Sequence, residues 1–520
     1  MSFVESCDGE KCEWWEENLN LLAANLLVAS FALLLLCRIP ILQRFFTNET
    51  KSALLRRQMT PIGRFALLSQ TERNPSILSF FVALGNEKGV DPISMDEFED
   101  LWKSRVMNKH ERFRCRVSED GNKYFEVVNH SFDEYAKKIP HPKDEGEFKK
   151  RLNSFLTSQM DVHNKLWEAE ICTGRVGKSG TVIECQQNYD SETVALFRSH
   201  HCLCDGVSMS TVIADAADEA NELNEMVLKA LEKLRNKAEK GGLLLQLGTL
   251  IVGIIFYYIV GTIKALSAQL WNMATSSNPF DELIDNDERC KTRSIAWKKL
   301  ANVVEAKALV KRIETKATLN DLFVTLLSAA VEKQYEEFNP NSYPSSVNFV
   351  IPVHLSGGLS LPGESIGNKI GAFVAHIPFS QFSNSKTRIR LTQISHIMRN
   401  AKKVPAPQIS WVITALISKF VSGEEFAKKA IVQSNCHAVA VISNVRGFPF
   451  KIHWNGRRIE TICPFLPLPP GIPIGVVVST YDQMILLSID ADSRIVPDAD
   501  NFLKFMIDEY EEMKKYWVKN

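Results

Sequence analysis

Hydrophobic and polar residues around position 200 follow a pattern that predicts a strand leading directly into a helix. Val194, Leu196 and Arg198 alternate with Ala195, Phe197 and Ser199, as two sets of side chains on opposite faces of a strand would. His200 and His201 continue this strand and would face opposite ways, so the protein can hold one imidazole while the other points into a cavity. After Gly206, apolar residues recur at helical spacing, at Met209, Val212, Ile213 and Ala216.

Residues 18–37 form a strongly apolar run without any charged residue. A helix of this length, rising about 1.5 Å per residue, spans a bilayer core of about 30 Å. Glutamates precede the run, and arginines and a lysine follow it, which places the remainder of the chain on the cytosolic side. We therefore predict a transmembrane helix over about 18–37, inside an N-terminal tail and membrane anchor of residues 1–52.

The composition sets limits on partners and on metal binding. Lys plus Arg and Asp plus Glu each number 61, so the net charge of zero gives no electrostatic case for nucleic acid. The 11 cysteines form no CxxC pair, which suits reduced thiols facing the cytosol and does not support a metal site. The 45% share of hydrophobic residues is enough for a sizeable core.

Several short motifs carry a family resemblance. The block His200-His201-x-x-x-Asp205-Gly206 matches the HHxxxDG motif of the acyl-CoA-dependent acyltransferase superfamily, which includes the condensation domains of peptide synthetases. Three further segments resemble motifs of the wax ester synthase/diacylglycerol acyltransferase family: Leu166-Trp167-Glu168, Asn320-Asp321, and Ser443-Asn444-Val445-Arg446-Gly447. The chain departs from that family at Lys165 and at Arg446, where proline is usual.

The resemblance implies a fold and a division of the chain. It implies an α/β protein of two similar chloramphenicol-acetyltransferase-like halves with a central tunnel. The N-terminal half would cover 53–240 and carry HHxxxDG, and the C-terminal half would cover 276–520. Residues 241–275 would be a hydrophobic, membrane-associated insertion. The uncharged run 241–263 is long enough to cross a bilayer, but crossing would separate the two halves. We expect it to dip into the membrane or lie at its surface, with a wholly buried helix as the alternative.

The resemblance also implies roles for individual residues. His201 corresponds to the general base, His200 to a supporting residue, and Asp205 and Gly206 to the rest of the motif. Four further residues would support the tunnel or the motifs: Trp167, Asn320, Asp321 and Asn444. The residues alone also allow structural roles: Trp167 as a core residue, and Thr318 with Asp321 as the capping box of a helix. Asp205 is expected to hold the loop, with an Arg or Lys nearby.

In acyl transfer to an alcohol, the histidine would act as a general base. A thioester is already activated, but a hydroxyl is a poor nucleophile, and a base that removes its proton contributes about 10²- to 10⁴-fold. A purely structural histidine pair is the alternative. A zinc site built with Cys202 and Cys204 is disfavoured because adjacent strand residues diverge. A cysteine nucleophile is disfavoured because buried cysteine usually behaves as a small hydrophobe.

We expect a membrane-bound O-acyltransferase that uses acyl-CoA as co-substrate and binds no permanent cofactor and no metal. The acceptor would be a fatty alcohol or diacylglycerol, and the products wax esters, triacylglycerol or both. The expected location is the endoplasmic reticulum membrane, with the catalytic part in the cytosol, or the surface of lipid droplets. Acyl transfer to a sterol or isoprenoid alcohol is one alternative, and a non-catalytic lipid-binding or tethering protein is the other.

Overall fold

The computed structural model describes the greater part of the chain from Arg56 onward. The described residues are 56–72, 74–86, 90–120, 124–175, 191–239, 260–264, 267, 278–280, 292–340, 344–358, 366–379, 387–420, 435 and 437–519. The predicted transmembrane helix over 18–37 and most of the run 241–263 lie outside them. Among the helices of the described part, none combines the length and the apolar character that crossing a bilayer requires.

Fifteen strands are present in the described residues. They are β1 (Arg56–Gln58), β2 (Ile77–Asn86), β3 (Cys115–Val117), β4 (Tyr124–Val127), β5 (Ala136–Ile139), β6 (Trp167–Arg175), β7 (Ser191–His200), β8 (Arg293–Asn302), β9 (Val347–His354), β10 (Ile370–Ile377), β11 (Ala438–Val445), β12 (His453–Trp454), β13 (Arg457–Phe465), β14 (Ile474–Tyr481) and β15 (Met484–Asp492).

The α-helices of the described part are interspersed among these strands, together with a π-helix at Lys103–Met107 and 3₁₀-helices at Glu111–Arg114 and Phe132–Glu134. They are α1 (Pro61–Leu68), α2 (Met95–Trp102), α3 (Glu145–Thr157), α4 (Gly206–Ala216), α5 (Ala220–Glu239), α6 (Val303–Ile313), α7 (Leu319–Phe338), α8 (Thr387–Ala401), α9 (Ala406–Phe420) and α10 (Ala499–Lys519).

Two six-stranded sheets dominate the fold. The first has the strand order β12-β13-β2-β7-β6-β5 and the second has the order β10-β9-β11-β14-β15-β8. A separate three-stranded sheet has the order β1-β4-β3. Both large sheets mix parallel with antiparallel pairs, since β5 runs parallel to β6 and β11 runs parallel to both β9 and β14. The predicted α/β class is confirmed.

Strand β13 connects the two halves of the chain. Although it lies late in the sequence, it pairs antiparallel with β2 in the first sheet, with Cys463 opposite Phe81. The proposed boundaries at 240, 275 and 276 stay predictions. The backbone of the C-terminal half nevertheless completes the sheet of the N-terminal half.

Buried side chains form separate cores on the two sheets and a third core between them. One face of the second sheet packs on α6, α7, α8 and α10. In the first half, Trp102 stacks on Phe197 with ring centroids 4.9 Å apart, inside a large aromatic cluster. Between the halves, the Phe81 ring meets Trp297 edge-on at 5.1 Å. These contacts fix the second sheet relative to the strand that carries the histidines.

Candidate active site

His200 is the last residue of β7, and its side chain is fully buried. The Nδ1 atom accepts the backbone N–H of Cys202 at 3.1 Å, so the proton lies on Nε2 and is donated to Oε1 of Gln70 at 2.9 Å. Burial, together with the neighbouring His201, lowers the pKa of His200 to about 3. His200 is therefore a neutral, hydrogen-bonded residue held within the fold, and its supporting role in the reaction stays a prediction.

His201 follows β7 directly and has the other orientation. Its N–H donates to the carbonyl oxygen of Ser76 at 2.8 Å, and its own carbonyl oxygen accepts Nδ2 of Asn368 at 2.9 Å. The half-buried ring lines a cavity. Nδ1 is buried and has no hydrogen-bond partner among the described residues. The Nε2 edge is thus the part of the ring that is available to a substrate in the cavity.

The cavity has a volume of about 270 Å³ and lies between the two sheets. Its walls are mostly apolar and come from both halves, for example Ile62 of α1, Phe80 of β2, Met209 of α4 and Val477 of β14. A cavity of this kind, apolar with a few convergent polar groups, is typical of a site for a small or chain-like organic ligand.

Asp205 joins the motif loop to the second half of the molecule. Its buried carboxylate caps α4, since Oδ1 accepts the N–H of Ser208 at 2.9 Å, and Oδ2 accepts the N–H of Lys369 at 2.7 Å. The backbone N–H of Asp205 donates to the carbonyl oxygen of Gly367 at 3.0 Å. Asp205 therefore holds the loop through backbone hydrogen bonds, as the sequence led us to expect.

The cation expected near Asp205 is Arg112. It is almost fully buried, donates Nη1 to the carbonyl oxygen of Leu203 at 3.2 Å, and packs on the Phe125 ring at 5.0 Å. Burial lowers the pKa of Arg112, and the nearby thiols and the Asp205 carboxylate oppose this effect. A side chain at Gly367 would approach the guanidinium, because a Cβ there would lie 3.3 Å from Nη1.

Gly206 begins α4 and also lines the cavity. A Cβ at this position would lie 3.6 Å from Cγ2 of Val445, which is an ordinary contact distance. The start of α4 therefore lies against the end of β11.

The four residues expected to support the tunnel or the motifs, Trp167, Asn320, Asp321 and Asn444, do not line the cavity. Trp167 is a core residue whose Nε1 donates to the carbonyl oxygen of Phe113 at 2.8 Å and whose rings stack on Tyr135 at 4.9 Å. Asn444 donates Nδ2 to Oδ1 of Asn320, which links the end of β11 to the start of α7.

Asp321 forms the predicted capping box of α7, because its carboxylate accepts the N–H of Thr318 at 2.8 Å. Cys202 and Cys204 are fully buried, and burial raises the pKa of both thiols, so neither has the character of a nucleophile. Within the described residues, no group of His, Cys, Asp and Glu side chains is arranged to hold a metal ion.

Three residues that hold the motif were missed from the sequence: Gln70, Ser76 and Arg112. Asn368, which also holds the motif, did carry a signal, because Ile366-Gly367-Asn368 resembles the Gly-Asn turn of the wax ester synthase/diacylglycerol acyltransferase family. The others contact the motif across long sequence separations, which local patterns do not encode.

Comparisons with known proteins point to the family that the sequence motifs resemble. Residues 366–514 match the family model described as the WS/DGAT C-terminal domain. Wax ester synthase/diacylglycerol acyltransferase 9 of Arabidopsis thaliana is 21% identical over 86% of this chain and 94% of its own length. The probable diacylglycerol O-acyltransferase tgs1 of Mycobacterium tuberculosis (strain CDC 1551 / Oshkosh) is 19% identical over 69% of this chain and 74% of its own length.

The solved structure of the wax ester synthase/diacylglycerol acyltransferase from Marinobacter aquaeolei VT8 has the same fold. It is 14% identical, with a TM-score of 0.55, over 88% of this chain and 99% of that chain. The family model and the curated relatives identify the class of the protein as an O-acyltransferase. Within that class, the resemblance to the wax ester synthase/diacylglycerol acyltransferase family is confirmed.

Proposed function

We propose that this protein is a membrane-bound acyltransferase that moves a long-chain acyl group from acyl-CoA to the hydroxyl of a fatty alcohol or diacylglycerol. The products would be wax esters, triacylglycerol or both. The observation that carries the proposal is the position of His201, whose ring lies at an apolar cavity shared by the two halves. The family resemblance supports acyl-CoA as co-substrate.

In the proposed mechanism, Nε2 of His201 takes the proton of the acceptor hydroxyl while the oxygen attacks the thioester carbonyl carbon. The carbon–sulfur bond then breaks, and the proton passes from His201 to the departing CoA thiolate. Atoms and charges balance without an acyl-enzyme. The backbone N–H of His201 donates to the carbonyl oxygen of Ser76, and Nδ2 of Asn368 donates to the carbonyl oxygen of His201. Residues of both halves therefore hold the backbone of the base, which fixes its orientation for transfer.

The proposed location is the endoplasmic reticulum membrane or the lipid droplet surface, with the active site in the cytosol. The uncharged run 18–37 and the basic residues after it support this part of the proposal. Fatty alcohols and diacylglycerol reside in bilayers, so an enzyme that takes them as acceptors benefits from lying beside one. Retention of the whole chain in carbonate-washed membranes, compared with a chain that lacks residues 1–52, tests the anchor.

The catalytic proposal is tested by ester formation from labelled acyl-CoA with fatty alcohols, diacylglycerol and a sterol as acceptors. His201→Ala should lower the rate at least about 10²-fold, because the general base is lost. His376→Gln is the matched control, since His376 is half-buried in the second sheet and does not line the cavity. The proposal is wrong if the parent protein forms no ester with any acceptor, or if His201→Ala keeps the parental rate.

A further inference from the structure

Strand β14 contains a glycine, Gly475, near one end of the cavity. Along this strand, Val477, Ser479 and Tyr481 line the cavity, while Ile474, Val476 and Val478 pack in the core with the helices on the other side of the sheet. Because successive side chains alternate between faces, Gly475 is the next position on the cavity face. The wall of the cavity therefore has no side chain of its own at Gly475.

Two leucines of the proline-rich segment that follows β13 occupy the space above this glycine. A Cβ at Gly475 would lie 2.5 Å from Cδ2 of Leu468 and 3.3 Å from Cδ1 of Leu466. Both leucines line the cavity. Behind them, Leu468 packs with Ile472, and Leu466 packs against the same small cluster, so this part of the cavity wall is apolar and backed by buried side chains.

This wall lies at a distance from the HHxxxDG motif. Val445, which contacts the start of α4, is paired with Ser479, whereas Gly475 is paired with Val441. Four residues of strand correspond to about 13 Å at about 3.3 Å per residue. The cavity thus extends along β11 and β14 from the motif to the two leucines.

We propose that Leu466 and Leu468, resting over Gly475, form the end stop for the straight alkyl chain of a substrate and so set the chain length that the enzyme prefers. This inference rests on the proposed function and deepens it. The alkyl chain belongs either to the acyl-CoA or to the fatty alcohol, and the chemistry of the wall is the same for both.

The wall predicts opposite effects for two substitutions. Gly475→Ala places a methyl group where Leu468 now lies and displaces that leucine into the cavity, so shorter chains are favoured. Leu468→Ala removes the wall and favours longer chains. One buried methylene is worth about 0.8 kcal/mol, so each methylene that no longer fits should lower kcat/KM about fourfold. Leu468→Phe, which leaves Gly475 unchanged, is a second shortening variant.

The experiment has two activity arms and one binding arm. One activity arm varies the acyl-CoA with a fixed alcohol, and the other varies the alcohol with a fixed acyl-CoA. The binding arm measures the displacement of a fluorescent fatty acid by saturated alcohols from octanol to octadecanol and by the matching fatty acids. Leu487→Ala is the matched control, because Leu487 is a buried leucine of β15 that faces the helices and not the cavity.

A shift of the preferred chain length in one of the activity arms supports the inference and identifies the substrate whose alkyl chain meets the wall. A shift in the binding arm without ester formation by the parent supports the wall and overturns the proposed function. Unchanged length profiles in all arms, with melting temperatures close to that of Leu487→Ala, overturn the inference.

Discussion

The Asp205→Asn variant tests whether Asp205 positions the base or takes part in the reaction itself. In the parent protein, the buried carboxylate accepts the N–H groups of Ser208 and Lys369. An asparagine keeps one oxygen for Ser208, but its NH₂ group then faces the N–H of Lys369, so two donors oppose each other. The loss of a hydrogen bond to a charged group costs about 1.5–3 kcal/mol. We expect the free energy of unfolding to fall by about that amount.

The same substitution should also lower activity, because the segment that Asp205 holds includes Asn368, which binds the backbone of His201. If the barrier rises by about 1.4–2.8 kcal/mol, kcat/KM falls about tenfold to hundredfold. The fall should appear in kcat more than in KM, and the pH profile should keep its shape, since the base is unchanged. Ester formation over a pH series and thermal unfolding measure both effects.

Asp321→Asn is the matched control for this experiment. Asp321 is also a buried carboxylate at a helix start, but it does not line the cavity. It should lower stability and leave kcat/KM nearly unchanged. The reasoning fails if Asp205→Asn retains parental activity and stability. It also fails if Asp205→Asn matches the loss in His201→Ala without losing stability, because Asp205 would then act on the reactants.

Three further variants test the buried framework. The folded-state pKa of His200 is about 3, below its ordinary 6.5, so between these pH values only the unfolded chain binds the extra proton. The free energy of unfolding should therefore fall by up to about 1.4 kcal/mol per pH unit as the pH drops below 6.5. His200→Gln should remove this pH dependence when urea unfolding is compared at pH 7 and pH 5. Trp167→Phe loses the hydrogen bond to Phe113 and should lower stability by about 1–3 kcal/mol in thermal unfolding, with ester formation retained. Arg293→Met leaves the buried carboxylate of Asp490 without the Arg293 guanidinium, which donates to it at 2.8 Å, and should cost about 3–5 kcal/mol in urea unfolding. If Trp167→Phe or Arg293→Met is as stable as the parent protein, the role given to that side chain is wrong. If His200→Gln leaves the pH dependence of unfolding unchanged, the role given to His200 is wrong.

Local patterns predicted the elements around the site well. The alternation before His200 corresponds to β7, and the helical spacing after Gly206 corresponds to α4. The capping box predicted from Thr318 and Asp321 is also confirmed. These features depend on residues close in sequence, where side-chain period and capping chemistry act directly.

Contacts between distant parts of the chain could not be predicted in the same way. Nothing local to Arg112 indicates that it is buried beneath the motif loop, and nothing near Gln70 indicates that it binds His200. The separation of Asn320 and Asn444 from the cavity likewise depends on how α7 meets β11. Such contacts are determined by how complete sheets pack, and no periodic pattern in a single sequence indicates that packing.

The pairing of β13 with β2 has a consequence for biosynthesis. Until residue 465 has left the ribosome, β2 lacks one of its two neighbours and remains an open sheet edge, which is prone to pairing with other chains. The first half therefore cannot reach its final form before β13 has left the ribosome, and a chain that ends before β12 should aggregate even though it carries the whole HHxxxDG motif. Gene fusions and truncations of this enzyme should keep the chain continuous through β13.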